Sequence, residues 1–352
     1  MADSGETIRG YIEGDAEHIS RLFQEVFGIG KSMDRLAWQF MDHVQGEGWM
    51  RLAEAGGEIV AQFCTMRRNL NFLGSEIHGG ICVDAMVRED QRRKGLFTKL
   101  AEKNFSLALE DGVRAVIGFP NRESYPILIR RLNWHNITNL KRYYYRIGYK
   151  KIIGSAVDSI TKRPRSLPAR ARRLMLRRLY HAWLHGRRAE TCVTDSLPEG
   201  LGTALERAMR QEVISTWKDL HYLRWRYERH PDHDYEFHVL SIDGEPVGTA
   251  VCRRIDDIVA ICELIHADKD IQQSSLLLLH VLCHYFRSEA QTLEFYGHDS
   301  GFFDQVFKSC GFRRVSTSRF VLAGRTFGSE RFDSMFPLPH NWTVSYGDID
   351  II

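Results

Sequence analysis

The chain of 352 residues contains an internal repeat, and this repeat limits the folds that it can adopt. The segment LAWQF at 36–40 matches LRWRY at 223–227, a shift of 187 residues, with Leu, Trp and a terminal ring at the same places. The same shift, without any gap, aligns further pairs: His43 with His230, Gly57 with Gly244, Glu58 with Glu245 and Val60 with Val247. Matched spacing over several positions predicts a duplicated domain, over 1–150 and 195–352, with a connector at 151–194.

Both copies have the same predicted order of elements. A helix that ends in aromatic residues is followed by two strands, which are joined by the turns AGGEIV and IDGEPV. In the first copy we predict a strand at 79–87, a helix at 95–110, a strand at 114–119 and a helix at 124–132. Hairpins combined with one strand–helix–strand unit predict an α/β (α+β) class: two tandem domains, each a mixed, mostly antiparallel sheet with helices on both faces.

The composition is typical of a cytoplasmic globular protein. No apolar run approaches the roughly 20 residues that cross a bilayer, and the acidic N-terminal segment lacks the apolar core of a signal peptide. The seven cysteines are scattered without a CxxC pair, and the fifteen histidines include no HExxH pattern. We therefore expect reduced thiols and no metal site.

The positive charge is concentrated in the connector. Twelve Lys or Arg and one acid lie between Lys150 and Arg188, whereas the net charge of the whole chain is +3. Within this segment, 168–184 mixes arginines with Leu, Tyr and Trp in the manner of a basic amphipathic helix, which could make peripheral contact with an anionic membrane. Docking of this helix on the two domains is the alternative, and the pattern slightly favours it. A nucleic-acid partner is not favoured, because no stacking platform accompanies the arginines.

The stretch EDQRRKGLFTKL at 89–100 places Arg92, Arg93, Lys94 and Gly95 at a turn between a predicted strand and a predicted helix. The first turn of a helix has unpaired N–H groups and the positive end of the helix dipole, which suit a phosphate. A glycine permits close approach, and the cations add charge-assisted contacts. A solvated basic turn is the other interpretation. The strand–turn–helix context favours the phosphate site, although the spacing is not that of a Walker A loop.

This stretch resembles the acyl-coenzyme A loop of the GCN5-related N-acetyltransferase (GNAT) superfamily, whose pattern is Arg/Gln-x-x-Gly-x-Gly/Ala. Arg92 and Gly95 match the pattern, and Phe97 replaces its final small residue. GFPNRESYPILIRRLNW at 118–134 resembles the next part of a bacterial tandem-domain branch. In that branch a Phe after the Gly-Leu/Ile pair, as at Phe97, is common. LRWRYERHP and NWTVSYGDID resemble its second domain. The resemblance covers most of the chain outside the connector.

The resemblance implies a binding site for acetyl-CoA or another acyl-CoA. Met86 and Val87 would pair with the pantetheine arm, and Asn121 would face the thioester. The pyrophosphate would be wrapped by the amides of Arg93, Lys94, Gly95, Leu96 and Phe97, with the charges of Arg92 and Lys94 nearby. Many members protonate the leaving thiolate with a Tyr some seven residues after the Asn. Here that region reads Ile127-Leu128-Ile129, and Tyr125 is the nearest phenol.

Asp84 is the best-placed candidate base. Acyl transfer to an amine needs a neutral amine, a polarised carbonyl and a protonated leaving group, so a base must accept a proton directly or through water. Asp84 interrupts an apolar strand three residues before Val87, and an acid in that setting is a site candidate.

Each of these polar residues also has a structural interpretation. Asp84 could pair with a neighbouring turn or arginine, Asn121 could cap helix 124–132 in competition with Ser124, and Tyr125 could be a core or rim phenol. The aromatic residues of the repeats are predicted to be core rings.

The second copy lacks the Arg-x-x-Gly pattern, since ICELIHADKDIQQSS stands in its place. We expect it not to bind coenzyme A and to complete the acceptor pocket instead. The expected function is acyl-CoA-dependent N-acyl transfer to the primary amine of a small molecule. By analogy alone, this acceptor is an amino sugar or sugar nucleotide of polysaccharide biosynthesis. Two alternatives stay open: aminoacyl transfer from transfer RNA, which the intact loop argues against, and a non-catalytic CoA-binding or membrane-associated scaffold.

Overall fold

A computed structural model describes residues 6–147, 188–286, 288–315, 319–328 and 330–349. In this part of the chain the helices are α1 Asp15–Phe27, α2 Met33–Phe40, α3 Leu96–Glu110, α4 Tyr125–Arg131, α5 Leu201–Arg210, α6 Leu220–Leu223, α7 Ile271–Phe286, α8 Phe302–Ser309 and α9 Glu330–Met335. The predicted basic helix at 168–184 lies outside the described residues.

The strands of the first half are β1 Thr7–Arg9, β2 Trp49–Ala55, β3 Glu58–Arg67, β4 Leu70–Phe72, β5 Ser75–Ile77, β6 Gly79–Val87, β7 Ala115–Gly118, β8 His135–Asn139 and β9 Lys141–Arg146. Those of the second half are β10 Ala189–Thr194, β11 Ile214–Thr216, β12 Glu236–Ile242, β13 Glu245–Ile255, β14 Ile258–His266, β15 Thr292–Gly297, β16 Arg313–Val315 and β17 Val321–Thr326. Strand β10 thus lies in the last part of the predicted connector.

Two seven-stranded sheets contain most of these strands, in the orders β1-β2-β3-β6-β7-β17-β8 and β10-β12-β13-β14-β15-β9-β16. The pairs β6–β7 and β14–β15 are parallel, and the other neighbours are antiparallel. The predicted fold class is therefore confirmed, with each parallel pair connected through one helix.

The two sheets exchange strands. Strand β17, from the second half, lies between β7 and β8 of the first sheet, while β9, from the first half, lies between β15 and β16 of the second sheet. The stretches 1–150 and 195–352 therefore do not correspond to separate sheets. Sequence periodicity can predict that a strand exists, but the partner of a strand depends on contacts between residues distant in sequence.

The repeated aromatic residues meet where the halves join. The rings of Trp38 and Trp225 stack with centroids 4.3 Å apart, and the indole N–H of Trp38 donates to the Trp225 carbonyl. Trp38 also packs against His230, at 4.6 Å, and Trp225 against His43, at 4.1 Å. This reciprocity is expected when two similar units meet about an approximate two-fold axis. The prediction that both tryptophans are core rings is confirmed.

The apolar stripe of α3 fixes the position of the basic loop. Leu96, Leu100 and Phe105 are buried in a cluster with Phe63 and Trp134. Because Phe63 lies on β3, next to β6, this packing holds the N-terminus of α3 near the carboxyl end of β6. The loop between β6 and α3 is thereby attached to rigid elements at both ends.

Candidate active site

Strand β6 departs from regular pairing on both sides near its carboxyl end. Its first three residues, Gly79–Ile81, pair with Ala115–Ile117 of β7, and the parallel register ends there. On the other side, the register with β3 shifts between Gln62 and Cys64, and Asp84 has a positive φ of 50°. Such a bulge redirects a side chain and is common beside active sites.

The basic loop ends in an open helix N-terminus. A short 3₁₀ helix, Glu89–Gln91, follows β6, and Gly95 has a φ of 81° before α3 begins. Within the described chain no side chain caps this helix, and no atom lies within 4 Å of the place where a Cβ on Gly95 would be. The N–H groups of the first turn are therefore uncapped beside open space, and such a helix N-terminus suits a pyrophosphate.

The cations of the loop are exposed and only weakly engaged. The Arg92 Nε donates to the Val87 carbonyl at 3.2 Å, and the Lys94 amine donates to the Gln91 side chain at 2.5 Å. Arg93 is also exposed, and its φ is 67°. All three charges remain available to an anion bound at the start of α3.

Asn121 and Tyr125 lie on the connection after β7. The Asn121 Oδ1 accepts from the backbone N–H of Glu123 at 3.0 Å and of Ser124 at 2.9 Å, which is a turn before α4 and not its cap, since Ser124 is the N-cap residue. Tyr125 begins α4 and is half-buried, and its phenol makes no hydrogen bond within the described residues. An ion pair of 4.0 Å between Arg92 and Glu123 joins this connection to the basic loop. The predicted cofactor residues thus gather at one edge of the first sheet.

Asp84 forms a buried ion pair with Lys31. The Lys31 Nζ contacts the Asp84 carboxylate and the Gln39 side chain, and it lies 4.9 Å from the centroid of the Phe23 ring. The side chains of Lys31 and Asp84 are only 4% and 9% exposed. The sequence analysis missed Lys31, although the shift of 187 residues that aligns the tryptophans also aligns it with another lysine, Lys218.

The second half contains a corresponding ion pair. Asp84 is the sixth residue of β6 and Glu263 the sixth of β14, and both strands pair in parallel through their first three residues. Lys218 Nζ donates to Glu263 at 2.9 Å, to Ser345 at 2.6 Å and to Asp348 at 3.1 Å. Burial raises the pKa of Glu263. Burial opposes ionisation of Asp348 also, but Lys218 and the Ser345 N–H hold the pKa of Asp348 below its usual value.

The helix that corresponds to α3 has no open N-terminus. Only 267–270 connect β14 to α7, whereas 88–95 connect β6 to α3. Asp270 occupies the start of α7: its carboxylate accepts from the Gln273 N–H at 2.7 Å, and its carbonyl accepts from the Ser274 N–H at 2.9 Å. A fixed carboxylate thus takes the place that an anion would need. This supports the expectation that the second half does not bind coenzyme A.

The part of the chain that contains β6, the basic loop and α3 matches a known class of acyltransferase domains. Residues 7–137 match the family model of the acetyltransferase (GNAT) domain. The resemblance predicted from the loop is therefore confirmed for this part of the chain, and GNAT domains use an acyl-CoA as co-substrate. No curated protein matches the chain in sequence.

Solved structures with the same fold cover nearly all of the chain. A GCN5-related N-acetyltransferase from Anabaena variabilis has a TM-score of 0.64 at 8% identity, covering 91% of this chain and 72% of its own. A glucosamine N-acetyltransferase region of a fungal multi-domain β-N-acetylglucosaminidase has a TM-score of 0.61 at 12% identity, covering 92% of this chain and 38% of its own. A tandem GNAT protein of the clavulanic acid pathway has a TM-score of 0.53 at 11% identity, covering 92% and 99%. At these identities the similarity concerns the fold.

Two features are absent from the described residues, a membrane-spanning helix and a metal-binding cluster. None of the helices there is long and apolar enough to cross a membrane. No group of three or more His, Cys, Asp or Glu in the same residues is placed to hold a metal ion.

Proposed function

We propose that the protein transfers an acyl group, most simply acetyl, from coenzyme A to the primary amine of a small molecule, at the edge of the first sheet. One observation carries the proposal: the uncapped N-terminus of α3 follows the carboxyl-terminal part of β6, which does not pair with β7. The donor supplies a thioester, whose carbonyl is open to attack by an amine. The amides from Arg93 to Phe97 would hold the pyrophosphate, and Met86 and Val87 would align the pantetheine arm.

In this proposal the side chains of the protein accept and donate the protons of the reaction. Asp84, directly or through a water molecule, accepts the proton that the amine must lose. A backbone N–H at the bulge of β6 polarises the carbonyl of the donor. Tyr125 or water returns a proton to the leaving thiolate, and Asn121 orients the connection on which Tyr125 lies.

For the acceptor we propose an amino sugar or a sugar nucleotide, as in polysaccharide biosynthesis. The glucosamine N-acetyltransferase among the structures of similar fold supports this choice by analogy. Because acyl-CoA is an intracellular metabolite, the proposal places the reaction in the cytoplasm. The second half would close the acceptor pocket, and contact of 168–184 with a membrane stays a separate hypothesis.

Thermal unfolding with and without acetyl-CoA tests the donor site. A ligand that binds only the folded state raises the midpoint, so the parent should shift and Gly95→Glu should not. Gly57→Glu is a matched control: Gly57 also has a φ of 81°, with no atom within 4 Å of its added Cβ, and it lies in the β2–β3 turn. A shift in neither the parent nor Gly57→Glu, with all three proteins folded, would exclude the donor site.

The acceptor is tested by thiol release from acetyl-CoA. Free, phosphorylated and nucleotide-linked hexosamines would be compared with their N-acetylated forms, which lack the free amine. Amine-dependent thiol release that Asp84→Ala abolishes supports the proposal. Donor binding without thiol release for any amine would favour the non-catalytic alternative.

A further inference from the structure

We propose that Lys31 is a positioning residue for the acyl transfer, which holds Asp84 as an oriented, ionised carboxylate at the bulge of β6. This inference rests on the proposed function, because it assigns a partner to the proposed base. It concerns a residue on the connection between α1 and α2, far in sequence from the basic loop.

The surroundings of Asp84 oppose its ionisation. Phe23 of α1 and Phe40 of α2 enclose the ion pair, with the Lys31 Nζ 4.9 Å and 5.6 Å from their ring centroids. An aspartate in such a setting favours its neutral form unless a cation is close. Lys31 supplies that cation, and its contact with Gln39 fixes where the amine lies.

Among the described residues, few titratable groups of α2 and β3 lie close to the Lys31–Asp84 pair. Cys64 on β3 is close, and burial, followed by the charge of Asp84, raises the pKa of this thiol well above its usual value. The thiol is therefore neutral at pH 7 and adds no charge to the pair. From α2 comes the neutral Gln39, and from β3 the neutral Gln62, whose side chain donates to the Asp84 carbonyl at 3.2 Å. Lys31 is thus the cation that a test must remove.

The corresponding ion pair in the second half makes further hydrogen bonds to residues that the first half lacks. The Tyr227 hydroxyl donates to Glu263 at 2.8 Å, and the residue aligned with Tyr227 in the first half is Phe40, which has no hydroxyl. Glu263 is 1% exposed against 9% for Asp84. The carboxylate is therefore the more buried member of the pair in the second half and the more exposed member in the first, because Lys218 is 12% and Lys31 4% exposed. A purely structural role would give both lysines the same effect on catalysis, namely none beyond stability.

The test is the pH profile of kcat/KM for thiol release. In Lys31→Gln, which keeps a hydrogen-bond donor and removes the charge, the acid limb should move to higher pH by roughly one to three units. The sign follows from the loss of the cation, since the apolar surroundings then favour the neutral acid. Lys31→Arg should keep the parental limb. Lys218→Gln is the matched control and should keep it too, at a temperature where circular dichroism shows every variant folded.

A second measurement does not depend on activity. The Asp84 carboxyl, labelled with ¹³C and assigned through Asp84→Asn, should titrate at lower pH in the parent than in Lys31→Gln. Equal titration in the two proteins, or an acid limb that moves equally in Lys218→Gln, would overturn the inference. If Lys31→Gln does not fold, a parental Asp84 that titrates like an unpaired aspartate overturns it, and titration at lower pH supports it. If Asp84 of the parent titrates at lower pH than an unpaired aspartate but the protein transfers no acyl group, the control of the Asp84 carboxylate by Lys31 is supported and its role in acyl transfer is refuted together with the proposed function.

Discussion

The carboxyl ends of β6 and β14 carry the same ion pair with different surroundings. In the first half an eight-residue loop leads to an uncapped helix, and the carboxylate of the pair is 9% exposed. In the second half a four-residue connection leads to a helix capped by Asp270, while Tyr227, Ser345 and Asp348 enclose the pair. The comparison indicates that a lysine–carboxylate pair recurs at the same strand position in both halves, and that the halves differ in loop length and helix capping.

The largest expected difference between the halves is in activity. Asp84→Asn should lower kcat/KM by roughly 10²- to 10⁴-fold, the usual contribution of a positioned base. Glu263→Gln changes the corresponding residue and should leave kcat/KM within an order of magnitude. Steady-state kinetics under conditions where both variants are folded compares them. Equal losses would mean that the two carboxylates act only through stability.

Stability should show the opposite ranking. Lys218→Met leaves two buried carboxylates, Glu263 and Asp348, without their cation, and should lower the free energy of unfolding by about 3–5 kcal/mol. Lys31→Met leaves one carboxylate, Asp84, and should cost less. Urea unfolding followed by circular dichroism measures both. A larger cost for Lys31→Met would mean that the number of buried carboxylates left without a cation does not decide the cost.

Acid should weaken the contact between the halves. Burial, assisted by nearby arginines, lowers the pKa of His43 to about 3 and that of His230 to about 2. Between these values and about 6.5 the unfolded state binds more protons than the folded state. The stabilisation from the neutral rings is therefore complete above about pH 6.5. It is lost as the pH falls, by up to about 1.4 kcal/mol per unit for each ring.

Thermal midpoints between pH 7.5 and pH 5 test this prediction. The double variant His43→Asn and His230→Asn should show a shallower fall than the parent. Asparagine can still accept from the backbone N–H two residues later, as both histidines do. His135→Asn, at an exposed position, is the control and should follow the parent. An unchanged slope in the double variant would mean that these rings do not carry the acid sensitivity.

The smallest expected effect concerns the capped helix. Asp270→Ala removes the side-chain cap of α7 and should lower the free energy of unfolding by about 1 kcal/mol. Acetyl-CoA binding measured by calorimetry should stay at one equivalent, because the connection remains short and lacks the cations of the first half. A second equivalent would show that capping alone closes the second site.

Much of this site could be predicted from local sequence. The order strand, basic turn, glycine and apolar-striped helix depends on neighbouring residues, and the structure places those elements as expected. The aligned tryptophans likewise predicted core rings. Lys31 was missed because its partner Asp84 lies 53 residues away, and local patterns do not show which face of a bulged strand a side chain takes.

The sequence by itself determined the fold class of this protein, a duplicated α/β fold, and predicted one phosphate-binding turn, because hydrophobic periodicity, turn residues and a loop motif are local signals. Tertiary structure decided the rest. It inserted β17 into the first sheet and β9 into the second, stacked the repeated rings on each other, and buried Glu263 more deeply than Asp84. The physical reason is that strand partners and burial depend on contacts between residues distant in the chain, which no short stretch of sequence contains.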